Sequence, residues 1–346
     1  MPILRYLTAG ESHGRCLVAI VEGLPAGLKI DRAVVNNDLA RRQQGYCCGS
    51  RMRIEPDEVD ILSGIRKGET IGSPLALYIP NKYFKVDRLP PVPVQSDTGV
   101  GAGILKYDRQ DGRDILERAS ARETAMRVAV GAVCKLLLKE IGVELAGHVV
   151  ALGPVQANTA GMAFAQILER SEASEVCCAD LDAGQKMLAT IEEAKAKGDT
   201  LGGMFEVVAT GLPIGLGSHA QWDRKLDANI TQALMSIQAV KGVEIGIGFE
   251  GGMSNGQLQI VRAEMKPIST TVKPLPSTDV QTGQEVDATP ERFDVCALPA
   301  AAIVGEAVVA LELAKAMLDK FGGDSISELK RNIASYRAAC QQRQVS

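Results

Sequence analysis

The sequence predicts a mixed fold of the α+β class. Strand-like apolar runs alternate with segments of helical character along the 346 residues, and no linker rich in Pro, Gly and Ser divides them. We therefore expect one domain that covers residues 1–346. A five-residue motif, G-[D/E]-[S/T]-x-G, recurs three times in front of a strand-like run, which indicates an internal repeat.

The elements follow from apolar runs and from helix start and stop signals. Strands are predicted over 16–21, 75–79, 205–209 and 258–265. Helices are predicted over 33–43 after Asp31, from 117 to 141, from Asp227 to 240, and over 300–320, which Pro299 opens and a Gly pair closes. The polar stretch 81–103 indicates an exposed loop, and 155–175 a peripheral, partly helical segment.

The repeat singles out one histidine. The three copies of the motif are GESHG (10–14), GETIG (68–72) and GDTLG (198–202), with a looser fourth, GMSNG (252–256). The first and third lead in equal register to GLPAGL (23–28) and GLPIGL (211–216). Since x is apolar in the other two copies, and imidazole titrates near neutral pH, His13 is interpreted as chemical. His148 and His219 are interpreted as packed or exposed.

Composition excludes several classes of function. A net charge of −4 and an aromatic content of 4% argue against nucleic acid as a partner. No secretion signal and no apolar stretch of about 20 residues is present, so we expect a cytoplasmic protein without a membrane partner. The eight cysteines include two adjacent pairs but no CxxC, so we expect reduced thiols and no metal site.

Cations and hydroxyls predict an anion-binding pocket. In ERASARET (117–124), Arg118 and Arg122 stand four residues apart near a predicted helix start, which favours an anion site. The alternative is a solvated turn in which Arg118 pairs with Glu123 or Glu117. The further cations are Arg41, Arg42, Arg51, Arg53, Lys266 and Arg292, of which the first four alone would indicate a solvated face. Together with His13 they fit a phosphorylated or polycarboxylated small molecule.

These residues resemble the chorismate synthase family over nearly the whole chain. The matching motifs are GESHG, ERASARET, SIQAVKGVE (236–244), GGMSNGQ (251–257), KPIST (266–270) and DVCA (294–297). The resemblance implies a sandwich of β-sheets and helices with internal pseudo-symmetry, assembled as a homotetramer. It also implies 1,4-elimination of phosphate from 5-enolpyruvylshikimate 3-phosphate to give chorismate, with reduced FMN as cofactor and NADPH as a candidate reductant.

The resemblance also implies roles for individual residues. His13 is implied to be the acid near the departing phosphate, and Asp294 to work through flavin N5 in removing the C6 proton. Ser120 is implied both as a catalytic residue and as a flavin contact. The implied substrate-binding residues are Arg42, Arg51, Arg122 and Arg292. The implied FMN contacts are Arg118, Ala119, Ser120, Gln238, Ala239, Gly251, Lys266, Pro267, Ile268, Ser269, Thr270 and Arg292.

Four positions depart from the family pattern. Cys48 stands where an arginine is expected, Thr98 where a second histidine is expected, and Phe293 where a serine is expected. A long flap normally separates two residues that are adjacent here, Glu250 and Gly251. Three explanations stay open: a synthase with fewer active-site groups, a catalytically impaired paralogue that binds FMN or a phosphorylated ligand in an oligomer, or a sequence in which loop residues are missing or misread.

Overall fold

The computed structural model describes residues 4–46, 56–82, 84–89, 92, 100–268, 276–278, 282–287 and 294–344. Its α-helices are α1 (Arg32–Gln43), α2 (Val100–Tyr107), α3 (Arg113–Ala119), α4 (Thr124–Lys139), α5 (Phe164–Glu172), α6 (Leu181–Lys197), α7 (Leu226–Met235), α8 (Leu298–Phe321) and α9 (Ile326–Gln344). None of the helices in these described ranges is long and apolar enough to cross a membrane.

The strands form two main antiparallel sheets. They are β1 (Arg5–Ala9), β2 (Cys16–Glu22), β3 (Asp60–Ser63), β4 (Ile65–Arg66), β5 (Glu69–Thr70), β6 (Leu75–Pro80), β7 (Glu144–Leu152), β8 (Val155–Gln156), β9 (Gly203–Thr210), β10 (Val240–Ile245), β11 (Phe249–Glu250), β12 (Met253–Ser254), β13 (Gln259–Met265), β14 (Pro276–Thr278) and β15 (Glu285–Asp287). Sheet I has the order β1-β2-β6-β3 and sheet II the order β10-β13-β9-β7-β8. The α+β prediction and its four strands are confirmed.

The core is a layer of helices between the two sheets. One hydrophobic cluster takes in the inner faces of β2 and β6, the apolar residues of α4 and α8, and the inner faces of β7 and β9. The two long helices pack closely because Gly131 of α4 lies against Ala307 of α8, where a Cβ on Gly131 would come within 2.4 Å of the alanine Cβ. Gly305 gives the ring of Phe205 the same kind of room on the other side of α8.

The helix boundaries agree with the sequence in two cases and differ in two. Asp31 caps α1 by accepting the Ala33 N–H (2.8 Å), and α8 ends at Gly322, as predicted. The helix predicted to run from Asp227 to 240 is wrong at its end, because α7 stops at Met235 and β10 begins five residues later. The other difference, the helix predicted over 117–141, bears on the candidate site.

The predicted internal repeat is present in the hydrogen bonds as well as in the sequence. Thr70 Oγ1 donates to the Pro25 carbonyl (2.6 Å) and accepts the N–H three residues beyond that proline (2.9 Å). Ser254 Oγ makes the equivalent two bonds across the second Gly-Leu-Pro turn, at Pro213 (2.7 Å) and three residues beyond it (2.8 Å). The neighbours β1-β2-β6-β3 of sheet I therefore correspond to β7-β9-β13-β10 of sheet II.

The x position of the motif is not a uniform packing site. Leu201 is half-buried in the third copy, whereas Ile71 is 53% exposed in the second. An apolar residue at x is therefore not packed in the second copy. What the copies share is a buried hydroxyl one residue earlier, as at Ser12, Thr70 and Thr200.

Candidate active site

His13 lies in the turn between β1 and β2, against the segment that leads into α4. Its backbone N–H donates to Glu117 Oε2 (2.7 Å), and its Nδ1 lies 2.9 Å from Glu117 Oε1. The Ser12 N–H also donates to the Glu117 carbonyl oxygen (2.9 Å). The His13 side chain is 26% exposed and that of Glu117 only 3% exposed. The imidazole is therefore anchored through one nitrogen while part of the ring stays open to solvent.

The partner of His13 is an ionised carboxylate. Burial alone would raise the pKa of Glu117. The hydrogen bonds from the His13 ring and backbone outweigh this effect, and the charge of His13 and the hydrogen bond from Arg113 add to them, so the pKa of Glu117 lies below its ordinary value. Arg113 Nη1 donates to Glu117 Oε1 (3.0 Å) from one helical turn earlier in α3. An acceptor-only group thus faces Nδ1.

A buried amide connects the His13 turn to a substrate-binding candidate. Asn81 Nδ2 donates to three carbonyl oxygens of the turn, of which the Gly14 oxygen is closest at 2.9 Å. Asn81 Oδ1 accepts from Arg122 Nη2 (2.9 Å) and Nε (3.3 Å). Because Asn81 is 3% exposed and follows β6 directly, it fixes the position of both groups relative to sheet I.

Two of the predicted arginines meet at a second carboxylate, Asp57. Arg122 Nη1 contacts both oxygens of Asp57 (2.5 and 2.6 Å), and Arg42 Nη1 lies 3.4 Å from one of them. Arg42 Nε also donates to Thr124 Oγ1 (3.0 Å), in the first turn of α4. The structure therefore brings Arg42 and Arg122 together. Asp57 is buried, and two guanidinium groups face its single negative charge.

The stretch 117–124 is not the start of one helix. α3 ends at Ala119, Ser120 has extended backbone (ψ 140°) and its hydroxyl accepts the Arg122 N–H (3.3 Å), and α4 begins only at Thr124. Arg118 consequently does not share a helical face with Arg122. It is exposed and donates to the Thr8 and Gly10 carbonyl oxygens (both 3.0 Å), which corrects its proposed pairing with Glu123 or Glu117.

The predicted flavin contacts before β10 join the same region. Gln238 Nε2 donates to Glu123 Oε1 (2.9 Å), directly before α4, and the Ala239 carbonyl accepts the Lys266 N–H (3.0 Å) at the end of β13. Ala239 has a left-handed φ of 66°, unusual for a residue with a Cβ. Gln238 Oε1 is buried and has no hydrogen-bond partner among the described residues. That orphan acceptor fits a ligand that donates a hydrogen bond.

Asp294 lies at the same edge of sheet II. The neighbouring Val295 carbonyl accepts the Leu201 N–H (2.8 Å), and the Thr200 hydroxyl donates to the Ile268 carbonyl (2.7 Å). The third copy of the motif therefore holds the segment of Asp294 and the end of the 266–268 segment together. Asp294 itself is half-buried.

Among the predicted site residues that the structure describes, Gly251 is the one that the fold does not bring to this region. It lies beyond the far end of β10, roughly 20 Å from Ala239 at about 3.3 Å per residue. With Gly252 it forms a two-residue hairpin turn between β11 and β12, with φ of 57° and 84° as in a type I′ turn. The predicted site residues Arg51, Ser269, Thr270 and Arg292 lie outside the described residues, as do Cys48, Thr98 and Phe293.

The other two histidines agree with their interpretation, and Arg41, one of the predicted cations, belongs to the core. His148 is fully buried in β7, with Nε2 3.1 Å from Glu206 Oε1, and His219 is exposed in a turn. Arg41, next to the site residue Arg42, points into the core and pairs with Glu306 (2.9 Å). The six cysteines in the described ranges are free thiols.

Sequence reasoning missed three residues that orient the site: Glu117 as a partner, Asp57 and Asn81. It weighed cations and hydroxyls, which bind anions directly, and gave little weight to the groups that hold them. The available signal was the position of Asn81 directly after a predicted strand.

Comparisons with known proteins agree with this architecture. The sequence profile described as "Chorismate synthase" matches residues 4–250 and 247–318. Proteins named chorismate synthase from Geobacter sulfurreducens and Symbiobacterium thermophilum are 49% and 48% identical, over 96% of this chain and 98% of theirs. That of Moorella thermoacetica is 48% identical over 98% of this chain and all of its own.

A solved structure gives the same family, and the alignments also show where this chain differs from its relatives in length. A structure titled "Crystal Structure of Chorismate Synthase" superposes with a TM-score of 0.80 and 39% identity over 96% of this chain and 97% of that one. The two profile matches meet at residues 247–250, next to the Glu250–Gly251 junction. The Geobacter sulfurreducens alignment spans 386 positions, more than the whole length of this chain, so that relative has residues without a counterpart here. The chain belongs to the chorismate synthase family.

Proposed function

We propose that this protein catalyses the 1,4-elimination of phosphate from 5-enolpyruvylshikimate 3-phosphate to give chorismate, a lyase reaction, with reduced FMN as cofactor. The observation that carries the proposal is that the buried Asn81 amide connects the turn that carries His13 to the Arg122 guanidinium. Loss of a phosphate group needs a proton donor beside a group that binds phosphate, and one amide holds the segments that carry these two groups together.

The proposed roles follow from charge. The phosphate leaves with both electrons of its bond to the ring, so a proton from His13 stabilises the departing group. Arg42 and Arg122 bring two guanidinium groups together at Asp57, and the forked donors of guanidinium groups suit a polyanionic substrate. Asp294 takes up the C6 proton, which completes the elimination.

The described residues fit a flavin. The orphan Oε1 of Gln238 is an acceptor for a ring N–H, and the exposed cations Lys266 and Arg118 suit a phosphate group. The proposed contacts are Arg118, Ala119, Ser120, Gln238, Ala239, Gly251, 266–270 and Arg292, with NADPH as candidate reductant. When bound, the reduced flavin supplies electron density to the elimination without net oxidation.

We also propose a homotetramer in the cytoplasm. The outer face of sheet I carries apolar side chains that are open to solvent, with Leu7 76%, Leu62 64% and Ile20 47% exposed. Leu7 and Ile20 are directly opposed across β1 and β2, and Arg5 pairs with Glu22 at the end of the same face. An apolar centre flanked by both signs of charge suits contact with a second copy.

The reaction is tested with the purified full chain, reduced FMN and the substrate under anaerobic conditions. We expect release of phosphate in step with chorismate, and none above background with oxidised FMN. A protein that binds FMN and substrate but releases no phosphate with the reduced flavin refutes the proposed reaction.

One observation favours a second candidate, a catalytically impaired paralogue that binds FMN or a phosphorylated ligand as an oligomer partner. Where the family has its flap, this chain has the tight turn at Gly251 and Gly252. A segment that would cover the flavin is therefore absent from the sequence. Titration of FMN with and without substrate separates the two candidates. An enzyme should bind FMN more tightly with substrate present, whereas a binding protein should show the same affinity in both cases.

A further inference from the structure

We propose that Glu117 is a positioning residue, which fixes His13 in the tautomer that carries its proton on Nδ1 and so reserves Nε2 for the substrate. This inference deepens the proposed function, and rests on it for the role of His13 as the acid. The two residues are 104 positions apart in the sequence, so only the fold brings them together.

The first step of the argument is that Glu117 can only accept hydrogen bonds. Its carboxyl is buried, receives the His13 backbone N–H on Oε2 and the Arg113 guanidinium on Oε1, and is therefore held in the ionised form. The imidazole Nδ1 lies 2.9 Å from Oε1, within hydrogen-bond distance. A hydrogen bond between them needs a proton on Nδ1.

The second step concerns the other ring nitrogen. No described residue makes a hydrogen bond to His13 Nε2, and the ring is partly exposed. Because Nδ1–H donates to Glu117, the proton that charged His13 gives up is the one on Nε2, and this leaves the neutral Nδ1–H form. A carboxylate that orients an imidazole in this way also stabilises its charged form, the form that acts as an acid.

The third step is that glutamine cannot replace this carboxylate. The His13 backbone N–H is fixed by the turn and needs an acceptor, so the amide oxygen of a Glu117→Gln side chain must take the place of Oε2. The amide NH₂ then takes the nearer position, 2.9 Å from Nδ1 where Oε1 stands, and the amide oxygen lies 3.2 Å from Nδ1 where Oε2 stands. A donor at the nearer position favours an unprotonated Nδ1, so Glu117→Gln is expected to shift neutral His13 to the Nε2–H form while the turn keeps its backbone bond.

The chain contains a matched control. His148 Nε2 lies 3.1 Å from Glu206 Oε1 in a second buried histidine–glutamate pair, which belongs to sheet II and has no place in the proposed reaction. Glu206→Gln should alter the signals of His148 and cost stability, because Arg262 also loses a charged partner. Turnover should stay within about twofold of the unmodified protein.

The tautomer is read by ¹⁵N NMR of histidine-labelled protein, in which protonated and unprotonated ring nitrogens resonate far apart. With three histidines in the chain the spectrum is simple to assign. We expect the Nδ1–H form of His13 in the unmodified protein and the Nε2–H form in Glu117→Gln. An Nε2–H form in the unmodified protein, or no change in Glu117→Gln, overturns the proposal whether or not the protein is an active synthase.

Turnover gives the second readout. For Glu117→Gln we expect kcat to fall on the order of 10²-fold or more with KM within about twofold, since Glu117 does not touch the substrate. In a His13→Leu background the same change should cost nothing further. A loss that persists there shows that Glu117 acts through something other than His13. If Glu117→Gln does not fold, Arg113→Gln, which leaves the carboxylate in place, should keep the Nδ1–H tautomer, and loss of that tautomer overturns the proposal.

Discussion

Replacing Glu306 with glutamine should destabilise the protein, because Glu306 is the centre of a buried network of ion pairs in the core. Glu306 of α8 is 1% exposed, contacts Arg41 of α1 at 2.9 and 3.0 Å, pairs with Lys135 of α4, and accepts the Gly147 N–H of β7 (2.8 Å). Asp38 neutralises the two cations from the other side. One carboxylate thus connects three helices and a strand.

The magnitude follows from the pKa of Glu306. Burial would raise this pKa, but Lys135 and Arg41 lower it from the usual 4.5 to about 2. Because the pKa of Glu306 is lower in the folded protein than in the unfolded chain, ionised Glu306 adds to the free energy of unfolding at neutral pH, by roughly 3 kcal/mol. This stabilisation is lost as the pH falls through 4.5 towards 2. The loss should reach about 1 kcal/mol by pH 4 and about 2 kcal/mol by pH 3.

Glu306→Gln should lower the free energy of unfolding by about 3–5 kcal/mol at pH 7, because two buried cations are left facing one carboxylate. It should also flatten the decline in stability between pH 5 and pH 3. Urea unfolding at a fixed protein concentration measures both effects. Glu312→Gln is the control, since Glu312 lies on the same helix but pairs locally with Lys315, and its loss should cost about 1 kcal/mol or less. An equally steep acid decline in Glu306→Gln refutes the reasoning.

Three further predictions concern the turn of His13 and the helix layer. His13→Leu should fold with a loss of about 0.5–3 kcal/mol in urea unfolding, while FMN binding is retained and phosphate release falls roughly 10²-fold or more; full turnover would show a structural role. Asn81→Ala should cost about 1–3 kcal/mol and raise KM for the substrate, because three carbonyls and the Arg122 guanidinium lose their hydrogen bonds to the amide; an unchanged KM in steady-state assays would contradict this. Gly131→Ala should lower the free energy of unfolding by about 1–3 kcal/mol or more, because the new Cβ clashes with Ala307. Gly184 is a helical glycine whose added Cβ would meet no atom nearer than 3.7 Å, so Gly184→Ala should raise the free energy of unfolding by up to about 1 kcal/mol in the same assay.

The sequence predicted those parts of the fold that local patterns determine. The apolar runs identified β2, β6, β9 and β13, and the repeated motif predicted an internal repeat, which the equivalent hydrogen bonds of Thr70 and Ser254 bear out. Both depend on short stretches of chain, where periodicity and turn chemistry act directly. The break at Ser120 escaped because α3 and α4 are each good helical sequence, and tertiary contacts of Arg122 with Asp57 and Asn81 favour the turn between them.

The candidate site was predictable in its cations but not in its geometry. His13, Arg42 and Arg122 stood out by residue type, whereas Glu117 and Asp57 are ordinary acidic residues until the fold places them beside those groups. The choice of partner depends on which distant segments pack together, and no local pattern encodes that. Arg41 and Arg42 illustrate the limit, because adjacent residues of one helix serve the core network and the site respectively.

The internal repeat explains why the proposed acid and base come from separate parts of the chain. In the first motif copy the Ser12 N–H donates to the Glu117 carbonyl, in the segment that enters α4. In the third copy the Leu201 N–H donates to the Val295 carbonyl, in the segment that enters α8. Each turn therefore anchors the approach to one of the two central helices, and each approach carries a carboxylate, Glu117 or Asp294. The corresponding turns thus carry different chemistry: histidine at x places an imidazole beside the first carboxylate, whereas the third copy has leucine at the same position.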